Sequence, residues 1–332
     1  MTLPKPEEVW KSNRKQLLKL LESGTFTQQQ KEIRFYAPSF TYYKTQFYRS
    51  APHSFPTISI TGTSCALSCK HCGGKVLETM HPALTPEELF GLCQKLKRDG
   101  AIGCLVSGGC LPDGSVPLDD FTDALRRVKK ELGLTVFVHT GITSVETAAA
   151  LKKAGVDAAL IDIVGSEEVI KKTLNLKATP KSYADSLKAL KTSGLTCVPH
   201  IIVGLNDGRL GGEFEALKMA RDVDPSALVE IAFMPIRGTP MEKTPPPKPW
   251  EIAKVAATAR LMFPETPLIL GCMRPKGRVR GETDVLALKA GVDAIAFPSE
   301  EAIEYAQSRG WKTSFSSYCC AQLYLDAAGN KE

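Results

Sequence analysis

The chain has 332 residues, of which 43% are hydrophobic and 23% are charged, and its formal net charge at pH 7 is +6. This length suits one large α/β domain, and the ordinary composition excludes a fibrous or disordered protein. No apolar run approaches the roughly 18 residues of a membrane span, and basic residues alternate with acidic ones along the predicted helices, so we expect neither membrane insertion nor nucleic-acid binding.

The N-terminal segment and the cysteine content predict a cytoplasmic protein. Residues 1–6 lack the apolar stretch of a secretory signal. The ten cysteines fit a reducing compartment if most of them are metal ligands or buried thiols.

Residues 1–55 are predicted to form an N-terminal extension that packs on the main domain. An apolar stripe over residues 5–23 predicts one amphipathic helix that ends at Gly24. An arm rich in aromatic residues follows, from Phe35 to Tyr48. These side chains either line a pocket or dock a partner, or they pack as ordinary cover on the domain.

Strands and helices alternate without a break over residues 56–310, which favours an α/β fold of the (β/α)8 TIM-barrel type. Thr85 followed by Pro86 predicts the start of one helix, and Gly100 its end. Residues 311–332 form a cysteine-containing C-terminal tail outside the repeat. The eight predicted strands are apolar runs at Ile58–Thr63, Ile102–Gly109, Thr135–Gly141, Ala158–Gly165, Thr196–Leu205, Leu228–Ile236, Pro267–Pro275 and Asp293–Ser299.

The loop after the first strand carries Cys65, Cys69 and Cys72 with C-x3-C-x2-C spacing. Three thiolates in one tight loop hold three irons of a 4Fe–4S cluster and leave the fourth iron open. A zinc site is the alternative, with His71 as the fourth ligand. His71 stands between two of the cysteines, however, and is expected to point away from the face that they share.

The other seven cysteines divide by position. Cys93, Cys104 and Cys197 fall inside a helix or strands and are predicted to be buried thiols. Cys110 and Cys272 fall at carboxyl ends of strands, where barrel enzymes place their chemistry. Cys319 and Cys320 lie in the tail, which we expect to fold back over the barrel mouth. These last four are either ligands of a second cluster or a loose set of thiols.

The Cys65–Cys72 motif resembles the signature of the radical S-adenosylmethionine (SAM) superfamily. The resemblance implies that the open iron chelates SAM and that reductive cleavage of SAM gives a 5′-deoxyadenosyl radical. His71 stands where that family usually carries an aromatic residue, and it is therefore a candidate SAM-binding residue. The implied cofactors are the 4Fe–4S cluster and SAM. A low-potential electron donor is the implied partner that supplies the electron for SAM cleavage.

Two further segments resemble SAM-binding segments of that superfamily. Gly108 and Gly109 precede Cys110 in a run similar to the Gly-Gly-Glu motif, with Cys110 in place of the acid. The end of the fifth strand resembles the segment that contacts adenine and ribose, which gives Ile202, Gly204 and Asn206 as candidates. His139 and Asp162, near the ends of strands three and four, either orient SAM or substrate or are satisfied core groups.

The segments Leu270–Arg278 and Ala290–Pro298 resemble those of biotin-synthase relatives. Together with the Phe35–Phe40 arm and the Ser316–Cys320 tail, they make nearly the whole chain resemble the two-component lipoyl synthase. This implies sulfur insertion into an octanoyl chain on a lipoyl-carrier protein, with a second radical SAM component as partner and a sacrificial auxiliary 4Fe–4S cluster. The resemblance favours the first-acting, octanoyl-specific component. The expected auxiliary ligands are Cys272, Cys319 and Cys320, completed by Cys110 or by Ser316 or Ser317.

Two alternatives remain open from the sequence. One is a biotin-synthase-like enzyme that acts on a free small molecule. The other is a zinc-binding structural or nucleic-acid module, which the lack of a paired C-x2-C framework and of a concentrated basic face disfavours.

Overall fold

Eleven parallel strands form one sheet that curls around an interior filled partly by the C-terminal tail. The computed structural model describes residues 3–27 and 32–328, so parts of the predicted extension and tail lie outside the described residues. The strands are β1 (Glu32–Tyr36), β2 (Thr57–Ser59), β3 (His81–Pro82), β4 (Gly103–Ser107), β5 (Thr135–His139), β6 (Ala158–Ile163), β7 (Cys197–Val203), β8 (Leu228–Ala232), β9 (Leu268–Leu270), β10 (Ala294–Ala296) and β11 (Lys312–Ser316).

Helices cover the outer face of the sheet, as the alternating sequence pattern predicts. They are α1 (Pro6–Lys11), α2 (Arg14–Glu22), α3 (Pro86–Arg98), α4 (Thr122–Arg127), α5 (Val145–Ala154), α6 (Glu167–Lys172), α7 (Pro180–Thr192), α8 (Glu213–Arg221), α9 (Pro249–Met262), α10 (Val279–Lys289), α11 (Glu300–Ser308) and α12 (Leu323–Ala328). No helix within the described ranges is both long enough and apolar enough to cross a bilayer.

The strand order is β11-β1-β10-β9-β8-β7-β6-β5-β4-β2-β3, and every neighbouring pair is parallel. The predicted α/β class with parallel strands is confirmed. Among the described residues no ladder joins the edge strands β3 and β11, so the sheet is a curled half-barrel. Ser54 spans part of this gap: its hydroxyl donates to the Ser317 carbonyl at 3.0 Å, and its carbonyl accepts from Ile102 at 2.9 Å.

All eight predicted strands occur, each shorter than its apolar run, and three strands were not predicted. Of these, β1 comes from the aromatic arm and β11 from the tail, and they pair with each other. The arm's aromatic rings pack on this pair, as in the stacked contact of Tyr48 with Phe315 at 4.9 Å between ring centroids. This contact fits the interpretation that the aromatic side chains of the arm pack as cover on the domain. Tyr42 is the exception among them, because it is 70% exposed.

The N-terminal helix is interrupted. The single helix expected over residues 5–23 is wrong, because the chain becomes extended at Ser12 and Asn13 and then starts α2. The Asn13 side chain accepts from the backbone N–H of Gln16, which is an N-cap hydrogen bond. For α3 the prediction is confirmed, since the Thr85 hydroxyl accepts from Glu88 N–H and Pro86 begins the helix.

The tail enters the interior of the half-barrel instead of covering its mouth, so that expectation was wrong. Ala321 and Leu323 are buried in one cluster with inward-facing residues of the sheet, among them Ala158 and Val198. The Tyr324 hydroxyl donates to the carbonyl of Asp157, just before β6 begins. The tail therefore fills the interior at the amino-terminal ends of the strands.

Three cysteines were predicted to be structural thiols, and the structure confirms their burial. Cys93, Cys104 and Cys197 are at most 4% exposed and pack in the layer between sheet and helices.

A buried carboxyl group on β8 gives a first testable prediction. Glu230 is 1% exposed, neither of its carboxylate oxygens has a hydrogen-bond partner among the described residues, and burial raises its pKa well above the usual value. An acid whose pKa is raised on folding loses stability as pH rises from its unfolded pKa towards its folded one. We expect Glu230→Met to raise the free energy of unfolding by about 1–3 kcal/mol near neutral pH.

The measurement is urea unfolding of both proteins between pH 4.5 and 8. The stability gain should grow with pH, because only the wild type must keep a proton on a buried carboxyl. A gain that is constant or shrinks with pH would contradict this account. Glu301→Met on the exposed surface serves as the control.

Candidate functional site

The cysteine loop lies where β2 ends, at the carboxyl-terminal edge of the sheet. Cys69 is buried and Cys65 and Cys72 are half-buried. Backbone hydrogen bonds hold the loop to the rest of the fold: Ala66 donates to the Cys110 carbonyl, and Lys70 donates to the Thr173 carbonyl, each at 2.8 Å. Three thiols in one anchored loop are a donor set that suits an iron–sulfur cluster.

His71 shares a side with the cysteines, contrary to the expectation that it points away. Ligand atoms of Cys69, His71 and Cys72 all lie within 4.8 Å of one another, and His71 Nδ1 is buried without a hydrogen-bond partner. The hydrogen bond from the Cys69 thiol, aided by His71, lowers the pKa of Cys72. At neutral pH the loop therefore offers a ready thiolate, the form that binds iron.

Gly108 and Gly109 pack against this loop. A Cβ atom on Gly109 would lie 2.0 Å from the Ser64 carbonyl oxygen and 2.7 Å from the Cys65 Cα. The Gly109 N–H donates to the Thr61 hydroxyl at 2.7 Å. Only glycine permits this approach. The two glycines thus set the position of the cysteine loop, and any contact with SAM stays a prediction.

Cys110 lies beside the loop and not beside the tail. Burial raises the pKa of its thiol to about 12, and the next contributions come from Cys65 and Asp162. The structure therefore brings Cys110 to the first set of cysteines, which separates it from the auxiliary ligand set in which it was expected.

Cys272 packs against the interior cluster that contains Cys319 and Cys320, although the three sulfur atoms do not all lie within 4.8 Å of one another. Cys319 and Cys320 stand at the start of the interior part of the tail, and Cys272 follows β9. All three belong to one packed interior cluster. Burial, followed by the electrostatic effect of Cys319, raises the pKa of Cys272 to about 11, and the Cys320 hydrogen bond lowers the pKa of Cys319.

The serines proposed to complete this set have other partners. The Ser317 hydroxyl is 2.6 Å from the Tyr48 hydroxyl and accepts from Ala51 N–H. Ser316 accepts from Tyr318 N–H at 3.2 Å. Two nitrogens of the Arg280 guanidinium, by contrast, are buried without hydrogen-bond partners, and Cys272 is among its electrostatic neighbours.

Three polar side chains line the interior between the two sets of cysteines. His139, Asp162 and His200 come from β5, β6 and β7, and their ligand atoms lie within 4.8 Å of one another. His139 is an electrostatic neighbour of Cys319, and Asp162 is a neighbour of His71. We call these three residues the polar trio. The sequence analysis named His139 and Asp162 as candidate site residues but did not name His200.

The charge state of the polar trio follows from burial and mutual contact. Burial alone would raise the pKa of Asp162, but His139 and His200 hold it at about 2. Burial lowers the pKa of His200 to about 4, with a further contribution from His139. At neutral pH, Asp162 is therefore ionised and His200 is neutral.

The segment predicted to bind adenine and ribose forms a tight turn. Gly204 has φ of +79°, and its N–H donates to Glu213 at 2.9 Å. A Cβ on Gly204 would meet Pro247 at 2.7 Å. Ile202 and Asn206 are half-buried on either side of this turn. Glu213, which sequence reasoning missed, also accepts from Gly211, and it holds the turn closed.

Comparison with known families agrees with this geometry. Residues 59–208 match the family profile described as the Radical SAM superfamily, and residues 231–319 match the Biotin and Thiamin Synthesis associated domain. A biotin synthase of Rickettsia felis is 27% identical over 248 residues, which cover 72% of this chain and 78% of the relative.

Solved structures show the same fold at low sequence identity. HydG, a maturase of the FeFe-hydrogenase, superposes with a TM-score of 0.66 and 17% identity, over 98% of this chain and 75% of HydG. Methylornithine synthase (PylB) superposes with a TM-score of 0.61 and 16% identity, over 95% of each chain.

Proposed function

We propose that this chain, a protein of the radical SAM superfamily with biotin-synthase-like relatives, inserts sulfur into an octanoyl chain carried on a protein lysine. The observation that carries the proposal is the pair of cysteine sets. One set lies in the loop after β2, and the other comprises Cys272 after β9 and the tail residues Cys319 and Cys320, with members of the polar trio as electrostatic neighbours of both sets. A carbon atom held between two such centres is placed for hydrogen removal on one side and sulfur attack on the other.

Each set of residues has a distinct part in this proposal. Cys65, Cys69 and Cys72 would hold the cluster that binds SAM, and Cys272, Cys319 and Cys320 would hold the second cluster. When bound, the first cluster and SAM supply a carbon-centred radical that removes hydrogen, and the second supplies sulfide. Gly109 keeps the first loop in position, because no side chain fits beside Ser64.

The proposed substrate is a chain that enters the interior from one end. The tail fills the amino-terminal end, so a substrate has access from the carboxyl-terminal end where the cysteine loop lies. The inward-facing Ile231 is half-buried and offers apolar surface to methylene groups, whereas Leu160 and Val229 are covered within the interior cluster. The proposal includes an octanoylated carrier protein as substrate, a second radical SAM component that acts after this chain, and a low-potential electron donor.

A second candidate is a biotin-synthase-like reaction on a free small molecule. The polar trio favours it, because an ionised Asp162 in the interior suits a polar substrate better than a methylene chain. The biotin synthase relatives and the matched associated domain also support it.

An assay with two substrates separates these candidates. The reconstituted protein is incubated anaerobically with SAM, reductant and either an octanoylated lipoyl domain or free octanoic acid and dethiobiotin. We expect 5′-deoxyadenosine to form with the octanoylated domain, together with a mass increase on that domain that corresponds to added sulfur. Product with a free acid only would overturn the proposal in favour of the second candidate.

The matched control is Cys197→Ala. This buried thiol lies in the layer outside the half-barrel interior, so its removal should leave both products unchanged. A loss of product in Cys197→Ala would show that removal of a buried thiol outside the interior is enough to stop the reaction, through an effect on folding.

A further inference from the structure

Strand pairing places the three side chains of the polar trio on the same, inward face of the sheet. Asp162 on β6 pairs directly with His200 on β7, and His139 on β5 pairs with Leu160, two residues before Asp162. Because residues two apart in a strand point to the same face, all three side chains face the interior. The ring centroids of His139 and His200 are 5.4 Å apart.

His200 is oriented as a metal ligand. Its Nδ1 is 3.1 Å from the carbonyl of Val198, an acceptor that fixes the proton on Nδ1. The lone pair of Nε2 is then free and directed away from the backbone. Histidines that bind metals in proteins are usually held in this way, with the second ring nitrogen bonded to a carbonyl or a carboxylate.

Asp162 has one charged partner, His139, and one carboxylate oxygen that forms no hydrogen bond within the described residues. The distance from His139 Nε2 to Asp162 Oδ1 is 3.4 Å, and Oδ1 forms no hydrogen bond within the described part of the chain. The side chain is 42% accessible as a whole, but Oδ1 itself is buried. An ionised carboxylate away from bulk water is costly unless a cation or several donors compensate it.

We propose that His139, Asp162 and His200 bind one first-row divalent metal ion, separate from either iron–sulfur cluster. Two imidazoles and one carboxylate on one side of an ion form a facial set of three ligands, which suits Fe²⁺, Mn²⁺ or Zn²⁺. The remaining coordination positions face the interior space between the two sets of cysteines. An oxygen atom of a substrate or of water can occupy them.

The ion explains why the trio stands in an otherwise apolar wall. It balances the charge of Asp162 and uses the free lone pair of His200. The proposal does not depend on which substrate the enzyme takes, since it rests on the three side chains alone.

The test is a Mn²⁺ titration of the reconstituted, cluster-loaded protein, followed by electron paramagnetic resonance of free Mn²⁺. Mn²⁺ prefers oxygen and nitrogen ligands to thiolates, so the cysteines compete weakly. We expect one Mn²⁺ per chain in the wild type. Affinity should fall at least about tenfold in Asp162→Asn and in His200→Ala, each of which removes one ligand.

The asparagine in Asp162→Asn has nearly the same shape as the aspartate that it replaces. This variant therefore still tests the proposal if His200→Ala misfolds. Iron and sulfide contents are measured on every sample, so cluster loss is seen separately from loss of Mn²⁺. The control is Glu230→Gln, which removes a carboxylate on the outer face of β8 and should bind Mn²⁺ as the wild type does.

Two outcomes overturn the proposal: a wild-type protein that binds no Mn²⁺, or variants that bind it with unchanged affinity. The clusters are counted independently. A failed metal site therefore leaves the proposed sulfur insertion intact, and a protein without a second cluster leaves the metal site intact.

Discussion

Replacing Cys272, Cys319 and Cys320 together by alanine is expected to lower the iron content of the reconstituted protein from about eight to about four per chain. These are the cysteines that meet in the interior cluster behind the polar trio. The loop cysteines follow β2 and keep their own hydrogen bonds to Leu174 and to the backbone. One cluster should therefore be lost and the other kept.

In this variant SAM cleavage and sulfur insertion should be affected differently. SAM cleavage should continue in this variant, because Cys65, Cys69 and Cys72 are unchanged. Sulfur insertion should fall below detection, because no other residue set on the inward face of the described strands offers three thiols. The measurements are iron and acid-labile sulfide per chain, 5′-deoxyadenosine by chromatography, and substrate mass.

The complementary variant replaces Cys65, Cys69 and Cys72, and it should keep about four irons while losing SAM cleavage. Cys93→Ala is the control for the loss of a buried thiol outside the interior, and it should keep both clusters. A wild-type protein with only about four irons would contradict the second cluster and remove the sulfur source.

Arg274→Met is expected to destabilise the protein by about 3–5 kcal/mol, because it leaves a buried carboxylate without its partner. Arg274 and Asp284 are both fully buried and form a two-pronged ion pair with distances of 2.7 and 2.9 Å. The guanidinium also donates to carbonyls that follow β9 and end β10, at 2.6 Å for Gly271 and 2.7 Å for Ala296.

This ion pair is important for the site because of its position. It ties α10 to the carboxyl-terminal ends of β9 and β10, two residues from Cys272. We therefore expect the variant to lose iron from the interior set as well as stability. Urea unfolding followed by circular dichroism measures the first effect, and iron content after reconstitution measures the second.

Arg278→Met is the matched control, since Arg278 belongs to the same segment but is exposed. Its stability should stay within about 0.5 kcal/mol of the wild type. Equal losses in the two variants would show that the segment tolerates no change of arginine, and the buried ion pair would not be the cause.

The cysteine loop shows what can be predicted from local sequence. Cys65, Cys69 and Cys72 lie within eight residues of one another, so their spacing alone brings the thiols together. Thr85, Pro86 and Gly100 mark the ends of α3 because caps act on backbone groups within one helical turn. His71 is the exception in the loop, because its direction depends on packing against its neighbours.

The interior set shows what local sequence leaves open. Cys272 and Cys319 are 47 positions apart in the chain, and their meeting depends on the path of the tail. No local pattern shows that a tail enters the half-barrel instead of covering its mouth. The same holds for Cys110, which ends the second predicted strand but joins the loop cysteines through the hydrogen bond from Ala66.

Periodicity and spacing over a few residues are enough to predict the parallel α/β class, the eight apolar strands and the three-cysteine loop. Three other features depend on tertiary contacts: β1 and β11 extend the sheet, Arg274 pairs with Asp284, and the polar trio converges from three strands. Those contacts join residues that are distant in the chain. The register that aligns His200 with Asp162 is set by pairing between β6 and β7, and the sequence pattern of a single strand does not show which residues pair.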